Sequence, residues 1–534
     1  MSEPQTQPDN APRQVDTHSI TSAAGLIGAA TFSSRILGFI RDVVLAQLFG
    51  ASAAADAFYV AYRIPNLLRE LFAEGSMSSA FIPVFTEYHT LRSKHETWEL
   101  ASAAFTTLLT IVTVVTIIGI IAAPSLVWLL APGFHEEAAQ LARATLLTQV
   151  MFPYLLFVSL AALAMGILNS LKAFAVPALA PVFFNIVVIA FALFVTPFFE
   201  QPILAVGIGI VAGGLAQFAM QLPAIQRRGL LPSWRFQPGH PGVKQMGRLI
   251  LPTLLGLSVT QVNLTVSTIL SSYFEGGPTY LFYGMRLIQF PLGIFGVALA
   301  TAILPTLSRQ AASGAIDDLR DTVNFGIRMI LFIILPAMLG LILLGEPIIH
   351  IFFEHGAFTS EDTTGTANAL MAFSIGLWSF ASYRILATAF YSLQDTKTPA
   401  MAAVAGMCAN MALALILMQT LEYVGLALAT ACASMVNATI LIIILNRRIG
   451  GLHWPRLAQS IGRTIVALIP LSLICMWVAQ NDLWRHPDMF TSKVGVLTLG
   501  IMASVAAYFG VHRLLHSKEL DDILSILRKK LRRG

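Results

Sequence analysis

From Thr106 to Val127 the chain carries no charge and is apolar almost throughout, and Val182 to Phe194 reads the same way. A helix crossing a bilayer needs about 20 such residues. A barrel strand alternates apolar and polar side chains over about ten positions, and neither run alternates. Such runs recur along all 534 residues, of which 56% are hydrophobic and 11% charged, with a mean hydropathy of +0.73. Soluble proteins carry about a quarter charged residues, so a water-soluble enzyme is excluded and the fold class is all-α integral membrane. Cys408, Cys432 and Cys475 sit in apolar stretches, which suits packing better than a disulfide framework or a metal site.

Hydropathy places fourteen transmembrane helices near 22–48, 54–88, 99–131, 138–168, 175–198, 203–226, 245–273, 279–307, 322–346, 363–392, 399–420, 424–446, 458–480 and 492–514. Residues 1–20 are polar and lack the apolar core of a signal peptide, so they read as a disordered tail. The even count puts both termini on one side. Arg92, Lys94, Lys172, Arg227, Arg228, Arg309, Arg320, Lys397, Arg447, Arg448 and the basic C-terminal tail share one set of loops. The opposite loops hold Glu136, Glu200, Glu275, Glu354, Glu361, Glu422 and Asp482, with only Arg485 and Lys493 as cations. The positive-inside rule makes the first side cytoplasmic. Residues 517–534 combine leucines and isoleucines with basic residues, a spacing that fits a helix on the membrane surface as well as a solvated end that fixes topology.

An internal repeat organises the spans. Ala80-Phe81-Ile82-Pro83-Val84-Phe85 matches Ala302-Ile303-Leu304-Pro305-Thr306-Leu307, Ser170-Leu171 with Pro177-Ala178 matches Ser392-Leu393 with Pro399-Ala400, and Arg227-Arg228 recurs as Arg447-Arg448. Six spans per copy is an even number, so the copies are expected to be parallel, related by an axis along the membrane normal, with substrate held between them. The organisation is then a six-helix repeat over 21–228, a cytoplasmic linker over 229–244, a second repeat over 245–448, two additional helices over 449–516 and a basic amphipathic tail over 517–534.

Arg35, Arg41, Arg63, Arg69, Arg143, Arg286, Arg328 and Arg384 fall inside spans. Each costs about 2.5 to 3.5 kcal/mol at a span centre, so a group of them calls for a wet cavity or ion pairs. Four lie in the first two spans, accompanied by Asp42, Asp56, Glu70 and Glu74. Arg35 and Asp42 share a helix face, with Arg41 turned away by about 120°, which describes a broad wet face. The competing reading, that these arginines pair with neighbouring acids or reach the interface, applies most to Arg41 and Arg63. Tyr280 to Pro305 contains no acid, so Arg286 is expected to meet a substrate anion. A guanidinium binds phosphate through two parallel hydrogen bonds at any physiological pH, which points to a phosphate- or pyrophosphate-bearing substrate. Intramembrane prolines, Pro291 and Pro305 among them, permit kinks, and Gly209-x-x-x-Gly213 permits close helix packing.

Motifs of soluble enzymes are missing: no phosphate-binding Gly-x-x-x-x-Gly-Lys, no Gly-x-Ser-x-Gly, and no second histidine after His135-Glu136. Asp317-Asp318-x-x-Asp321 superficially resembles a magnesium-diphosphate site, but acids at a helix start also complement the helix dipole. No catalytic and no metal-binding residues are assigned.

Ser34-Arg35-Ile36-Leu37-Gly38-Phe39-Ile40-Arg41-Asp42, Ala55-Asp56-Ala57-Phe58, Pro65-Asn66-Leu67-Leu68-Arg69 and Phe72-Ala73-Glu74-Gly75 resemble the MurJ (MviN) family of lipid II flippases, within the multidrug/oligosaccharidyl-lipid/polysaccharide exporter superfamily. Arg286-Leu287-x-x-Phe290-Pro291-Leu292-Gly293-Ile294-Phe295-Gly296 and Asp395-Thr396-Lys397-Thr398-Pro399 agree in the second half. The resemblance implies a V-shaped cationic cavity for the pyrophosphate and sugars of a lipid-linked peptidoglycan precursor, and a groove for the polyprenyl tail on the last two helices. By motif position it makes Arg35, Arg41, Arg69 and Arg286 substrate-binding and Asp56, Arg63 and Glu74 further cavity charges. Glu70 stands where some relatives carry a second arginine. Some members hold sodium in the second half, near the region of Asp395, with no ligand set readable here.

The reading is a flippase carrying lipid II between leaflets of a bacterial inner membrane by alternating access. It requires no covalent chemistry, no cofactor and no nucleic acid, with lipid II and membrane lipids as partners. The driving force, a coupling ion or the membrane potential, and any protein partners stay open. The rivals are an exporter of another polyprenyl-linked oligosaccharide, a cation-coupled drug exporter of the same superfamily, and a membrane enzyme acting on polyprenyl diphosphate. The arginines disfavour the drug exporter, and the lack of an acidic metal cluster disfavours the enzyme.

Overall fold

The computed structural model describes residues 17–70, 76–486 and 489–531. Every regular element in them is helical, as lipid requires, since a backbone with no water to bond must satisfy its own N–H and C=O groups. Nine helices are long and apolar enough to cross a membrane among the described residues, and Ser360–Ile375 with Leu377–Ser392, bent by 42°, makes a tenth candidate. Apolar side chains such as Ile118, Ile121 and Leu129 remain exposed around them, the mark of a helix meeting lipid on one side and protein on the other.

The first half contains α1 (Thr17–Phe49), α2 (Ala53–Arg69), α3 (Ser76–Leu91), α4 (Lys94–Leu130), α5 (Ala138–Met151), α6 (Tyr154–Ser170), α7 (Ala175–Ala190), α8 (Pro202–Ala219) and the short α9 (Leu222–Gln226). Then follow α10 (Pro241–Ser271), α11 (Gly277–Pro291), α12 (Val297–Ala312), α13 (Ile316–Phe352), α14 (Ser360–Ile375), α15 (Leu377–Ser392) and α16 (Lys397–Arg448). The chain ends with α17 (Trp454–Ala479), α18 (Phe490–Leu514) and α19 (Lys518–Leu531).

Helix boundaries recur 222 residues apart. The 37-residue α4 and the 37-residue α13 begin and end at equivalent positions, and so do the ends of α6 and α15 and the starts of α7 and α16. Even an unfavourable turn is shared. Lys172 and Gln394 both adopt φ of 57°, and in each case the next residue bonds back to the carbonyl five positions earlier, Ala173 to Leu168 and Asp395 to Phe390. Left-handed backbone is costly for residues other than glycine, so the same turn in both copies reflects one backbone plan. The expected spans 399–420 and 424–446 are two helices joined within α16, which breaks at Glu422 (φ 51°, ψ −134°).

The linker between halves is not a free tether. Residues 231–235 lie along α4, where Trp98 Nε1 donates to the Leu231 carbonyl (2.9 Å), Ser233 N to Ser102 Oγ (3.1 Å) and Arg235 N to Thr106 Oγ1 (3.0 Å), and Arg235 pairs with Glu99 at 2.8 Å. Asp317 and Asp321, two acids of the diphosphate-like motif, are occupied by ion pairs with Arg320 and Arg456.

The two additional helices pack on α13 through Phe332, Leu344, Leu471, Cys475 and Leu497. At the end of the bundle that carries the acidic loops, the buried Lys493 Nζ lies 2.7 Å from His350 Nε2, whose Nδ1 is 2.8 Å from Glu354. At the basic end Tyr508 donates to the Phe332 carbonyl (2.7 Å), and Arg328 on α13 pairs with the buried Glu519 of α19 at 2.9 Å. The tail therefore begins as a docked helix, with Leu520, Ile523 and Leu524 joining the same cluster, which corrects the expectation of a merely solvated end. Removing one member of a buried ion pair strands the other and costs about 3 kcal/mol. Glu519→Ala should lower the stability of the detergent-solubilised protein by about that amount in a denaturant titration, whereas an undocked tail would leave the midpoint unmoved.

Candidate functional site

Between the halves lies a cavity of about 680 Å³ whose lining runs from Pro278, near the acidic end, to Pro177 and Gln221 near the basic end. Arg35, Arg41, Arg63, Arg69 and Arg286 line it, and Glu70 is the one acid on its wall among the described residues. The first four come from α1 and α2 and the last from α11, so both halves contribute cations.

Asp42 organises this wall from behind. Its side chain is fully buried, with Oδ1 accepting from Arg41 Nε (3.0 Å) and Nη2 (2.7 Å) and Oδ2 lying 2.7 Å from Arg286 Nε. The expectation that Arg286 lacks a protein carboxylate is thereby corrected: its own helix carries none, but α1 in the other half supplies one. The pairing uses Nε, Nη2 lies over Gly38 of α1, and the side chain is 27% exposed where it lines the cavity. Arg41 also reaches Asn185 Oδ1 at 3.3 Å, and Asn185 is itself held by the carbonyls of Ser34 and Pro181.

The remaining arginines divide clearly. Arg69 is occupied by Asn66 (3.0 Å) and lies 3.8 Å from Glu70, and Glu70 bonds Asn66 and, across the halves, Gln261. Arg63 leaves Nε and Nη2 buried without a partner, and Arg35 stands exposed with no carboxylate beside it among the described residues. Glu74 lies outside the described residues.

Asp56 does not line the cavity, which corrects its assignment as a cavity charge. It is 1% exposed and caps the start of α11 across the halves, accepting from Gly276 N (2.8 Å), Thr279 N (3.1 Å) and Thr279 Oγ1 (2.6 Å). Gly276 needs its left-handed φ of 69° to present that N–H. Around it the acidic end is sealed by further contacts between halves: Ala357 N to the Gln47 carbonyl (2.8 Å), Gly133 N to Ser272 Oγ (3.1 Å) and Tyr59 Oη to Tyr283 Oη (2.8 Å). Gly50, at φ of 58°, lets the α1–α2 turn sit directly on the Ala357 carbonyl, where a Cβ would overlap it. Asp395 is equally structural. It caps α16 through Thr398 N (2.9 Å) and Oγ1 (2.7 Å) and meets Arg448, and these donors hold its carboxyl below the usual range.

The amides Asn66, Asn185, Gln217, Gln221, Asn263 and Gln289 also line the cavity. Sequence reasoning missed them; their only signal was a lone amide interrupting an apolar run. With tyrosines and guanidinium groups beside them, they give a wall suited to anionic and hydroxylated groups.

Two repeats of one helical plan, enclosing a basic cavity sealed at one end, have the architecture of a membrane transporter. The family profile described as "Lipid II flippase MurJ" matches residues 45–493. The "Probable lipid II flippase MurJ" of Vibrio cholerae is 38% identical over 507 residues, covering 92% of this chain and 95% of that one. The "Lipid II flippase MurJ" of Burkholderia cenocepacia is 32% identical over 499 residues, covering 91% and 95%. A solved structure of a lipid II flippase MurJ in an inward closed conformation superposes with a TM-score of 0.76 at 28% identity, covering 92% of this chain and 99% of that chain. An inward-facing multidrug resistance MATE family transporter of the MOP superfamily shares the fold, with a TM-score of 0.65 at 14% identity and coverage of 78% and 94%. This chain belongs to the lipid II flippase MurJ family.

The clamp at Asp42 sets the order of arginine reactivity. Phenylglyoxal should modify Arg35 readily and spare Arg41, whose side chain is 11% exposed. Asp42→Asn should raise the modification of Arg41 and Arg286, read by peptide mass spectrometry. Equal modification of Arg35 and Arg41 in the unaltered protein would remove the clamp.

Proposed function

We propose that this chain carries lipid II from the cytoplasmic to the periplasmic leaflet of a bacterial inner membrane by alternating access. The observation that carries the reading is the arginine wall drawn from both halves, with one acid among its lining residues. A pyrophosphate headgroup meets guanidinium groups through paired charge-assisted hydrogen bonds, and the amides suit sugar hydroxyl and acetamido groups. Arg35, exposed and with no carboxylate beside it among the described residues, receives the anion first, and Arg41, Arg69 and Arg286 hold it in the geometry fixed by Asp42 and Asn66.

The fourteen-span topology with both termini cytoplasmic agrees with this direction. In it α1, α2–α3, α10 and the two arms of α16 each cross the membrane, the repeats span 21–228 and 245–448, and 449–516 forms the groove for the polyprenyl tail. The acidic end is then periplasmic, and the seal of Asp56, Tyr59–Tyr283 and the Gln47–Ala357 backbone contact closes the outward path. Each such hydrogen bond contributes about 0.5 to 1.5 kcal/mol net. The seal as a whole is a matter of a few kcal/mol, a size that contacts forming at the opposite end of the cavity offset, which is what two exchangeable states require.

Depleting the protein should make lipid II accumulate on the cytoplasmic side, and accumulation of another lipid-linked oligosaccharide in its place would sink the substrate assignment. Arg35→Ala should abolish delivery of labelled lipid II to the outer leaflet while the protein still accumulates in the membrane. Arg286→Lys should impair delivery by roughly tenfold or more, because an ammonium cannot hold Asp42 through one nitrogen and present a planar pair to phosphate; a rate near that of the unaltered protein removes the bidentate role. Reporters at both termini should read cytoplasmic, and a reporter in the loop carrying Glu354 and Glu361 should read periplasmic.

A further inference from the structure

Helix α11 does not pass smoothly into α12. Pro291 withholds a backbone donor, and Leu292–Gly296 follow as a turn of π-helix, a bulge that often marks a functional site. Two glycines of this bulge are covered by arginine side chains from different parts of the fold. A Cβ at Gly293 would overlap the Arg35 guanidinium, and one at Gly296 would lie 3.3 Å from Arg384 Cδ. Arg35 reaches the bulge from α1, and Arg384 from α15.

The two cations are within electrostatic reach of each other. Neither has a side-chain hydrogen bond or a carboxylate among the described residues, and both are exposed. Arg35 lines the central cavity and Arg384 does not, while Ile36 on α1 and Val297 on α12 present apolar surface beside them. Two repelling cations held together in an apolar surround are costly unless an anion or water meets them. The chain spends backbone regularity and two glycines on placing them.

We propose that Arg35 and Arg384 form a second anion station at this bulge, taking the phosphate or pyrophosphate of a lipid where the cavity meets the bilayer. Arg384 is then a ligand-contacting residue outside the cavity, and Arg35 serves both places. Two lipids carry this chemistry, the transported lipid, which rests on the function proposed above, and an anionic phospholipid of the surrounding bilayer.

The test is native mass spectrometry of the full chain in detergent, titrated separately with undecaprenyl pyrophosphate and with phosphatidylglycerol. Arg384→Ala should weaken binding of the pyrophosphate lipid about tenfold, the loss of one charge-assisted contact, with an unchanged melting temperature. Arg384→Gln, which keeps an amide donor but removes the charge outside the cavity, should reproduce that loss and decides the matter if Arg384→Ala melts early. Weakened binding of phosphatidylglycerol alone keeps the station and assigns it to a bilayer lipid. Unchanged affinity for both lipids in both variants overturns it. Failure of the unaltered protein to deliver labelled lipid II would overturn the flippase reading and leave the phosphatidylglycerol titration still decisive for the station.

Discussion

A single buried carboxylate, Asp42, holds the two halves of this molecule in electrostatic contact. With no exposure of its side chain it faces Arg41 of its own helix and Arg286 of the other half. An uncompensated charge at that depth is costly, and so is an uncompensated guanidinium, so each of the three groups makes the other two tolerable. The arrangement leaves a surplus of positive charge facing the cavity. It also makes the relative position of the halves part of the electrostatics, because Arg286 leaves its carboxylate whenever α11 moves away from α1. Under the function proposed above, an anion in the cavity is the natural substitute partner.

The seal at the acidic end works through a different kind of contact. Asp56 spends its oxygens on backbone and hydroxyl donors of the next half and meets no cation there. Two buried carboxylates on successive helices thus have distinct tasks, Asp42 holding cations toward the cavity and Asp56 closing a helix terminus beyond it. Burial does not separate the roles, since Asp42 is 0% and Asp56 1% exposed; the donors around each carboxylate do.

The fold class, the helical segments and the recurring plan were legible in the sequence because they rest on hydropathy and on local words such as Ser170-Leu171 and Ser392-Leu393. Arg35, Arg41, Arg63, Arg69 and Arg286 were legible as a group because charge inside an apolar run is rare. The partner of Arg286 was not, since scanning along α11 cannot reveal an acid on α1. Asp56 was grouped with the cavity charges because sequence gives proximity along the chain and not the direction of a side chain. The amides of the cavity wall carry no charge to betray them, and the bulge after Pro291 is a change of hydrogen-bond register that no residue pattern here announces. The break at Glu422 was read as a loop, and the chain makes it with one residue in a left-handed conformation.

The duplicated body is close to symmetric in plan, yet α17, α18 and α19 pack mainly on α13 among the described residues, fastened by Lys493 and His350 at one end and by Arg328 and Glu519 at the other. The second half therefore presents the broader cross-section to the surrounding lipid and meets the larger rotational drag. Equal and opposite torques acting between two bodies turn the one with less drag through the larger angle. In the alternating access proposed above, the first half, with its four cavity arginines, would then turn through the larger angle.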